Sequence, residues 1–281
     1  MIDPATPRLS IVIVTYNSST YIDACLRSLT DNPPRVEHEI MVVDNASPDG
    51  TAAAVRARWN RVTTIDAGGN LGFARANNLG IRQSAGALIL LLNPDTVIPR
   101  GAIDVMVAAL DARSDVAVVG PRLIDADGHV ELSFGSMMSP MAEARQKLLV
   151  RGSARGGPIA AYVASLTRRD REVDWVSGAC LLVRREDAEA VGLMDERYFM
   201  YAEDVDFCAA IRARGRRVLF TPAAEVVHAR GQSRASAAAA TEAAYRRSHI
   251  AFYEKHHPAW APWLRRYLKL RGKLPDNRFN R

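Results

Sequence analysis

The stretch ALILLLNPDT, Ala87 to Thr96, joins an unbroken apolar run to a polar turn. Such a run fits a strand covered on both faces, as in a parallel sheet between helices. Pro94 lacks the N–H that a central ladder needs, so the strand ends there. Asp95 is then placed just past the carboxyl end of a buried strand, in the crevice where open α/β sheets bind ligands. Taken alone, the same Asp also suits an ordinary turn.

Working outward, the N-terminal side repeats the arrangement. LSIVIV, Leu9 to Val14, reads as a buried strand running into the loop Thr15-Tyr16-Asn17-Ser18-Ser19. Tyr21, Ile22, Cys25, Leu26 and Leu29 recur at helical spacing up to Asn32-Pro33-Pro34. EIMVV, Glu39 to Val43, is a second strand ending at Asp44-Asn45-Ala46-Ser47. A turn at Pro48-Asp49-Gly50 leads to a helix over Thr51 to Trp59, then a weaker strand over Arg61 to Ile65. The glycine-rich loop from Ala67 to Gly72 opens a helix that Gly80 is expected to close. After ALILLL, a helix is predicted over about 101–110 and a strand over Val116 to Val119. Strand and helix alternate throughout, the pattern of an α/β, doubly wound, mostly parallel sheet flanked by helices. Right-handed crossovers bring the strand ends at Thr15, Asp44 and Asp95 to one edge.

Beyond residue 121 the character changes. Arg122 to Leu132 predicts a hairpin around Asp127-Gly128. Phe134 to Arg171 is Met- and Gly-rich with weak periodicity, and is expected to be a mobile lid. Val173 to Val183 predicts strand with a kink at Gly178, followed by a short helix from Glu186. Glu203-Asp204 opens a helix that Gly215 caps, and Arg217 to Phe220 is the last strand, followed by a loop carrying His228. Helices are predicted over Ser236 to His256 and Trp260 to Lys273, a C-terminal helical extension.

Charge is concentrated at the C-terminus. Trp260 to Arg281 holds seven basic residues against one acidic, a net of +6, which equals the net charge of the whole chain. The body is therefore neutral, and general nucleic-acid binding is not expected. Trp260, Trp263, Leu264, Tyr267 and Leu268 share a helical face among these basic residues. That face suits either packing on the body or peripheral membrane contact through 260–273. No apolar run reaches the roughly 18 residues that span a bilayer. The N-terminus lacks a signal-peptide pattern, and Cys25, Cys180 and Cys208 show no CxxC spacing, so reduced thiols in a cytoplasmic protein are expected.

Polar sets now stand at the element ends: Thr15-Tyr16-Asn17, Asp44-Asn45, Asn93-x-Asp95, Glu203-Asp204, and His228. Clustered carboxylates repel, so a cation or a donor-rich ligand is the expected fill. The ordered pieces SIVIVTYN, MVVDNAS, NLGFARANNLG, LLNPDT, WVSGACLLVRR, DERYFMYAEDVDFCAAIRARG and HARGQS span about residues 9 to 234. As a set they resemble the inverting nucleotide-sugar glycosyltransferases of family 2, which have the GT-A fold, and in particular their rhamnosyltransferase-like branch.

The resemblance implies roles. Thr15, Tyr16 and Asn17 would touch the donor nucleotide; Asp44, with Asn45, would accept from a pyrimidine N–H. Asn70, Gly72 and Arg75 would line the nucleotide and its phosphates. Asn93 and Asp95 occupy the family's Asp-x-Asp position, which leaves Asp95 as the main carboxylate for Mg²⁺ or Mn²⁺, with His228 a further metal or diphosphate ligand. Trp175, Ser177 and Gly178 would line the sugar and acceptor site, although Trp175 equally suits the core. Asp204 would be the catalytic base, supported by Glu203, at a helix start that favours ionised carboxylates. The implied partners are a nucleotide diphosphate-sugar, with dTDP-L-rhamnose the first choice, and a glycan or lipid-linked acceptor. The implied domain is a catalytic unit over 1–234, with a nucleotide-sugar-binding half to about 121 and an acceptor half over 122–234, then a basic extension over 235–281. Rival readings are a non-catalytic nucleotide-sugar binding protein and a sugar-phosphate nucleotidyltransferase. The second would want a Gly- and Lys-rich loop near the first strand, which is absent.

Overall fold

Every residue of Leu9–Thr15 (β1) and of Leu88–Leu92 (β4) is buried. Leu9, Ile11 and Ile13 join Leu88, Leu90 and Leu92 in one apolar layer, while Val12, Val14, Ile89 and Leu91 enter the opposite layer. Alternate side chains leave a strand on opposite faces, so two covered faces require an unbroken apolar run. The first layer is closed by Ile22–Asp31 (α1) and Ala102–Asp111 (α4), the second by Phe73–Gln83 (α3) and Glu203–Ala213 (α8).

The computed structural model describes residues 6–153, 157–229 and 238–275. Among them the main sheet runs β3 (Val62–Asp66), β2 (His38–Asp44), β1, β4, β11 (Cys180–Arg184), β6 (Val116–Ile124), β12 (Arg217–His228) and β5 (Thr96–Val97). Val130–Glu131 (β7) pairs with β6, and Arg171–Val173 (β9) with β12. Strands β1 to β4 are parallel, and β11 enters antiparallel to both β4 and β6. The sheet is therefore mixed but mostly parallel in its N-terminal half, as expected. From β1 the chain builds outward through Thr51–Arg58 (α2) to β3, then returns to place β4 on the other side of β1. That reversal opens a crevice at the carboxyl ends of β1 and β4. Thr15 stands in register with Asp44, and Ile13 with Leu92, so the turns after β1, β2 and β4 share one edge.

Three expectations are corrected. Gly80 does not close α3, which continues to Gln83. A Cβ at Gly80 would lie 2.5 Å from Val12 Cγ1, so this glycine lets the helix sit close on the sheet. Strand β12 does not stop at Phe220. It passes an irregularity between Thr221 and Glu225, which accommodates Pro222, and runs to His228. The segment after Phe134–Gly135 (β8) is helical, forming Pro140–Ser153 (α5) and Gly157–Leu166 (α6) before Trp175–Val176 (β10) pairs with β8. In α6 Val163 is buried while Ile159 and Tyr162 are exposed, and in α5 Met141 and Leu148 are exposed. Helices whose apolar side chains face outward leave no core-facing stripe for periodicity to detect.

After Arg185–Ala190 (α7) and α8, the chain ends in Ala238–His256 (α9) and Ala261–Leu270 (α10). The expected boundary at 234/235 and the piece of HARGQS after Ala229 lie outside the described residues. The helices themselves are docked. Glu143 of α5 accepts from His249 Nε2 and the Tyr253 hydroxyl, both at 2.7 Å. Burial opposes the Glu143 charge, but His249, Tyr253 and Lys147 outweigh it and hold the carboxyl down to about 2. Phe252, Tyr253 and Ala261 pack with Tyr198 and Val205. Among the described residues no helix is long and apolar enough to cross a membrane. Cys25, Cys180 and Cys208 are buried free thiols.

Candidate active site

The ends of β1 and β2 form one wall. Asp44 accepts from Thr15 Oγ1 at 2.9 Å, from Ser47 Oγ at 2.6 Å and from the Ser47 amide at 2.9 Å. A carboxylate offers about four acceptor sites, so one stays available for a ligand N–H. Thr15 is fully buried and its hydroxyl is spent on Asp44, so it positions that carboxylate instead of touching a ligand. Tyr16 is exposed on the rim. Asn17 adopts a left-handed backbone (φ 53), and its buried Oδ1 has no hydrogen-bond partner among the described residues. Asn45 is buried and uses both ends of its amide on the glycine-rich loop: Nδ2 donates to Gly72 O at 3.3 Å, and Oδ1 accepts from the Leu71 N–H at 3.2 Å. It ties the loop to β2 and is not free to bind a donor.

Asn70 is exposed and accepts from the Gly72 N–H at 3.2 Å. Gly72 has φ +81, and a Cβ there would lie 2.3 Å from Phe199 O. The close approach that demands glycine is to the Phe199 backbone, which accepts from the Phe73 N–H at 2.7 Å. Arg75 is exposed and pairs with Glu196 at 3.4 Å, so it reaches a diphosphate only by releasing that partner.

The second wall forms where β12 pairs with β5. His228 stands opposite Thr96 in that pairing, which brings it beside Asp95. His228 Nε2 lies 3.4 Å from Asp95 Oδ1 and 3.4 Å from Asn93 Nδ2. Its Nδ1 lies 3.2 Å from Glu131 Oε2, and Glu131 is itself buried. Burial opposes charge on His228, but the Asp95 and Glu131 carboxylates outweigh it and lift the imidazole to about 9. The donor set fits a divalent cation: a carboxylate and an imidazole converge, and the far imidazole nitrogen is oriented by a second carboxylate. A metal ligand must be neutral imidazole, so a cation bound here would have to displace the His228 proton. Glu131 escaped sequence reading; its signal is an acid on a short hairpin strand that the structure buries. A different cluster, Asp125, Asp127 and His129, has ligand atoms within 4.8 Å of one another at the hairpin turn. There Asp125 Oδ1 accepts from the Asp127 and His129 amides, which accounts for the cluster as a turn.

The third wall is the start of α8. Tyr201 and Ala202 both have left-handed backbone, φ 71 and 67, just before the acidic pair. Each such non-glycine residue costs roughly 1–3 kcal/mol, a strain that clusters at functional sites. Asp204 Oδ2 accepts from the Gly178 N–H at 2.9 Å, and Oδ1 from the Val205 N–H at 2.8 Å. Gly178 abuts Phe73 and Asp204. Ser177 Oγ accepts from the Ala179 N–H, and Ala179 O accepts from the Asn93 N–H at 2.9 Å, which links this wall to the LLNPDT turn. Trp175 is half-buried; its indole N–H donates to Ser136 O and its ring lies over Gly135, so it is mainly a packing residue at the edge of the site.

Burial raises the Asp204 carboxyl above the ordinary carboxylate range, against the pull of its N–H donors. Burial, with the nearby Asp204 charge, raises Glu203 well above that range, and Glu203 Oε2 has no partner among the described residues. Desolvation thus opposes the ionisation that the helix start favours. A carboxylate with a raised pKa takes a proton more readily near neutral pH, which would suit Asp204 to the base role expected of it. Glu203→Gln should stabilise the protein by about 1 kcal/mol or more near pH 7. Glu203 is harder to ionise in the folded than in the unfolded chain, so wild-type stability falls as pH rises above the ordinary carboxylate pKa. Thermal melting from pH 4 to 8 checks this; a gap between variant and wild type that does not widen with pH refutes it.

A mostly parallel sheet whose strand ends carry Asp44, Asn93-x-Asp95 and His228, with an oriented Asp204 at the start of α8, is the arrangement of a nucleotide-sugar glycosyltransferase of the GT-A type. The family model described as glycosyl transferase family 2 matches residues 10–175, and the chain belongs to that family. Over 289 residues it is 34% identical to the N-acetylglucosaminyl-diphospho-decaprenol L-rhamnosyltransferase of Mycobacterium tuberculosis, covering 96% of this chain and 93% of that one. It is 24% identical over 241 residues to the rhamnosyltransferase WbbL of Escherichia coli, covering 78% of this chain and 82% of WbbL. Among solved structures, the mannosyltransferase PcManGT from Pyrobaculum calidifontis in complex with GDP-Man and Mn²⁺ has a similar fold, with a TM-score of 0.61 and 22% identity. That match covers 93% of this chain and 69% of PcManGT.

Proposed function

We propose that the protein transfers an L-rhamnosyl group from dTDP-L-rhamnose, with inversion, to the N-acetylglucosamine of a lipid-linked diphosphate, in cell-surface polysaccharide assembly at the inner face of the membrane. The observation that carries the chemistry is the Asp204 carboxylate, aimed by the Gly178 and Val205 N–H groups and raised by burial. The near full-length likeness to the mycobacterial rhamnosyltransferase supports the choice of donor and acceptor. The acceptor hydroxyl oxygen attacks the anomeric carbon, its proton passes to Asp204, and the bond to the donor diphosphate breaks with the electron pair leaving on that diphosphate. Asp95 and His228 would hold a divalent cation, either Mg²⁺ or Mn²⁺, which would supply charge neutralisation on the leaving group. Asp44 reads the nucleobase, and the loop held by Asn45 closes over the nucleotide. Residues to about 121 supply most of the donor site, the half that follows supplies the proposed base and the acceptor side, and the docked C-terminal helices complete the unit.

A panel of nucleotide sugars with Mn²⁺, read by thermal shift, tests the donor. A donor present at about 100 times its Kd stabilises by about 2.7 kcal/mol, so dTDP-L-rhamnose should raise the melting temperature by about 5 °C or more. Mass spectrometry should then show an N-acetylglucosaminyl-diphospho-lipid gaining one deoxyhexose. A shift confined to another nucleotide sugar reassigns the donor.

A further inference from the structure

Helix α10 divides its apolar residues between two faces. Ala261 and Leu268 are buried and Leu264 packs against the same cluster. Trp260, Trp263, Tyr267 and Leu270 are 53%, 65%, 56% and 79% exposed. These four recur at i, i+3, i+7 and i+10, so they form one outward stripe on a helix whose inner face is already occupied. Arg266, Lys269, Arg271 and Lys273 surround the stripe and are exposed, and among the described residues none of them is in an ion pair. Arg265, by contrast, is engaged with Glu254 at 2.5 Å.

We propose that this stripe seats the protein on an anionic membrane surface. Trp and Tyr rings with Lys and Arg beside them suit the headgroup boundary, where the apolar body is buried and the charges meet anionic lipid. The C-terminal segment carries the whole net charge of the chain, +6, which complements a negative leaflet. The same charge argues against a second copy as occupant. A two-fold interface sets identical patches against each other, and two such segments repel. The neighbouring surface adds to the seat. His257 Nε2 donates to Met138 O at 2.6 Å, which holds the start of α5 against the start of α10. On α5, Met141 and Leu148 are exposed beside Arg145 and Lys147.

The seat is rigidly coupled to the site. Asp206, two residues after the proposed base on α8, is buried and accepts from Lys255 Nζ at 2.8 Å and His256 Nε2 at 2.6 Å. Those two residues end α9 just before the stripe begins, so the membrane face and the start of α8 are held in one orientation. The inference stands on this surface alone, and its test is read without donor or acceptor.

Flotation of the full chain with phosphatidylglycerol–phosphatidylethanolamine vesicles, against phosphatidylcholine vesicles, tests the proposal. Wild type should float with the anionic vesicles and be released by high salt. Trp260→Ala/Trp263→Ala/Tyr267→Ala should weaken partitioning by ~10²-fold or more, and Arg266→Gln, Lys269→Gln and Lys273→Gln by roughly fivefold each. Circular dichroism and melting check that each variant is folded, and the charge variants keep the test decisive if the aromatic one is not. Wild type that stays at the bottom of the gradient overturns the proposal, as do folded variants that float like wild type. A wild-type dimer in analytical ultracentrifugation that the aromatic variant abolishes, without vesicle binding, assigns the stripe to a second copy instead.

Discussion

Asp204→Asn lowers turnover by ~10²-fold or more while donor affinity stays nearly unchanged. Asn preserves size and can still accept from the Gly178 N–H, so the wall between α8 and the Gly178 turn should hold. What it loses is basicity. Steady-state kinetics and donor titration separate the two effects. A drop in kcat without a matching loss of donor binding marks an interaction made in the transition state. The pH profile gives a second readout. A base works only when deprotonated, so kcat/KM falls as pH drops through its pKa. Burial raises the Asp204 pKa, so this acid limb should lie above the range of an ordinary Asp, and it should vanish in the variant. Near-normal turnover in Asp204→Asn would send the proton elsewhere, with Glu203 the next candidate.

Asp95→Ala lowers transfer by ~10³-fold, the equivalent of about 4 kcal/mol of lost charge stabilisation. Asp95 is the carboxylate that meets His228 Nε2, and the Glu131 contact to Nδ1 remains in the variant. His228 therefore stays in place while the carboxylate ligand disappears. Calorimetric titration of dTDP should show Mn²⁺-dependent binding in wild type and equal, weak binding with and without Mn²⁺ in the variant. Retained metal dependence would remove Asp95 from the ligand set. Melting temperature should fall modestly at neutral pH, because the variant loses the Asp95 contact that helps hold the His228 proton, and the difference should fade as pH rises towards about 9.

The N-terminal sheet was legible because its strands are covered on both faces. LSIVIV, EIMVV and ALILLL announce two-sided burial by composition alone, and their polar ends mark the edge of the crevice. The acidic pair at the start of α8 was legible in the same way, as a break between a loop and an amphipathic run. The segment from Phe134 to Arg171 was not, because α5 and α6 turn apolar residues outward, and periodicity reports only a face that meets a core. The stripe on α10 was half legible: Trp260, Trp263 and Tyr267 were visible, but Leu270 was not, and Leu264 and Leu268 turned inward.

The sequence by itself determined the strand–helix order, the edge at which the polar residues gather, and the family to which the chain belongs, since these follow from local hydrophobic pattern and ordered motifs. Only the tertiary structure decided what each polar group does there. Thr15 and Asn45 turned out to hold Asp44 and the glycine-rich loop, Gly72 to admit Phe199, and Glu131 to orient His228 across 97 residues of chain. Burial then raised the pKa of Glu203 and Asp204 against the pull of the helix start. Hydrogen-bond partners and desolvation depend on groups distant in sequence, and no local pattern records them.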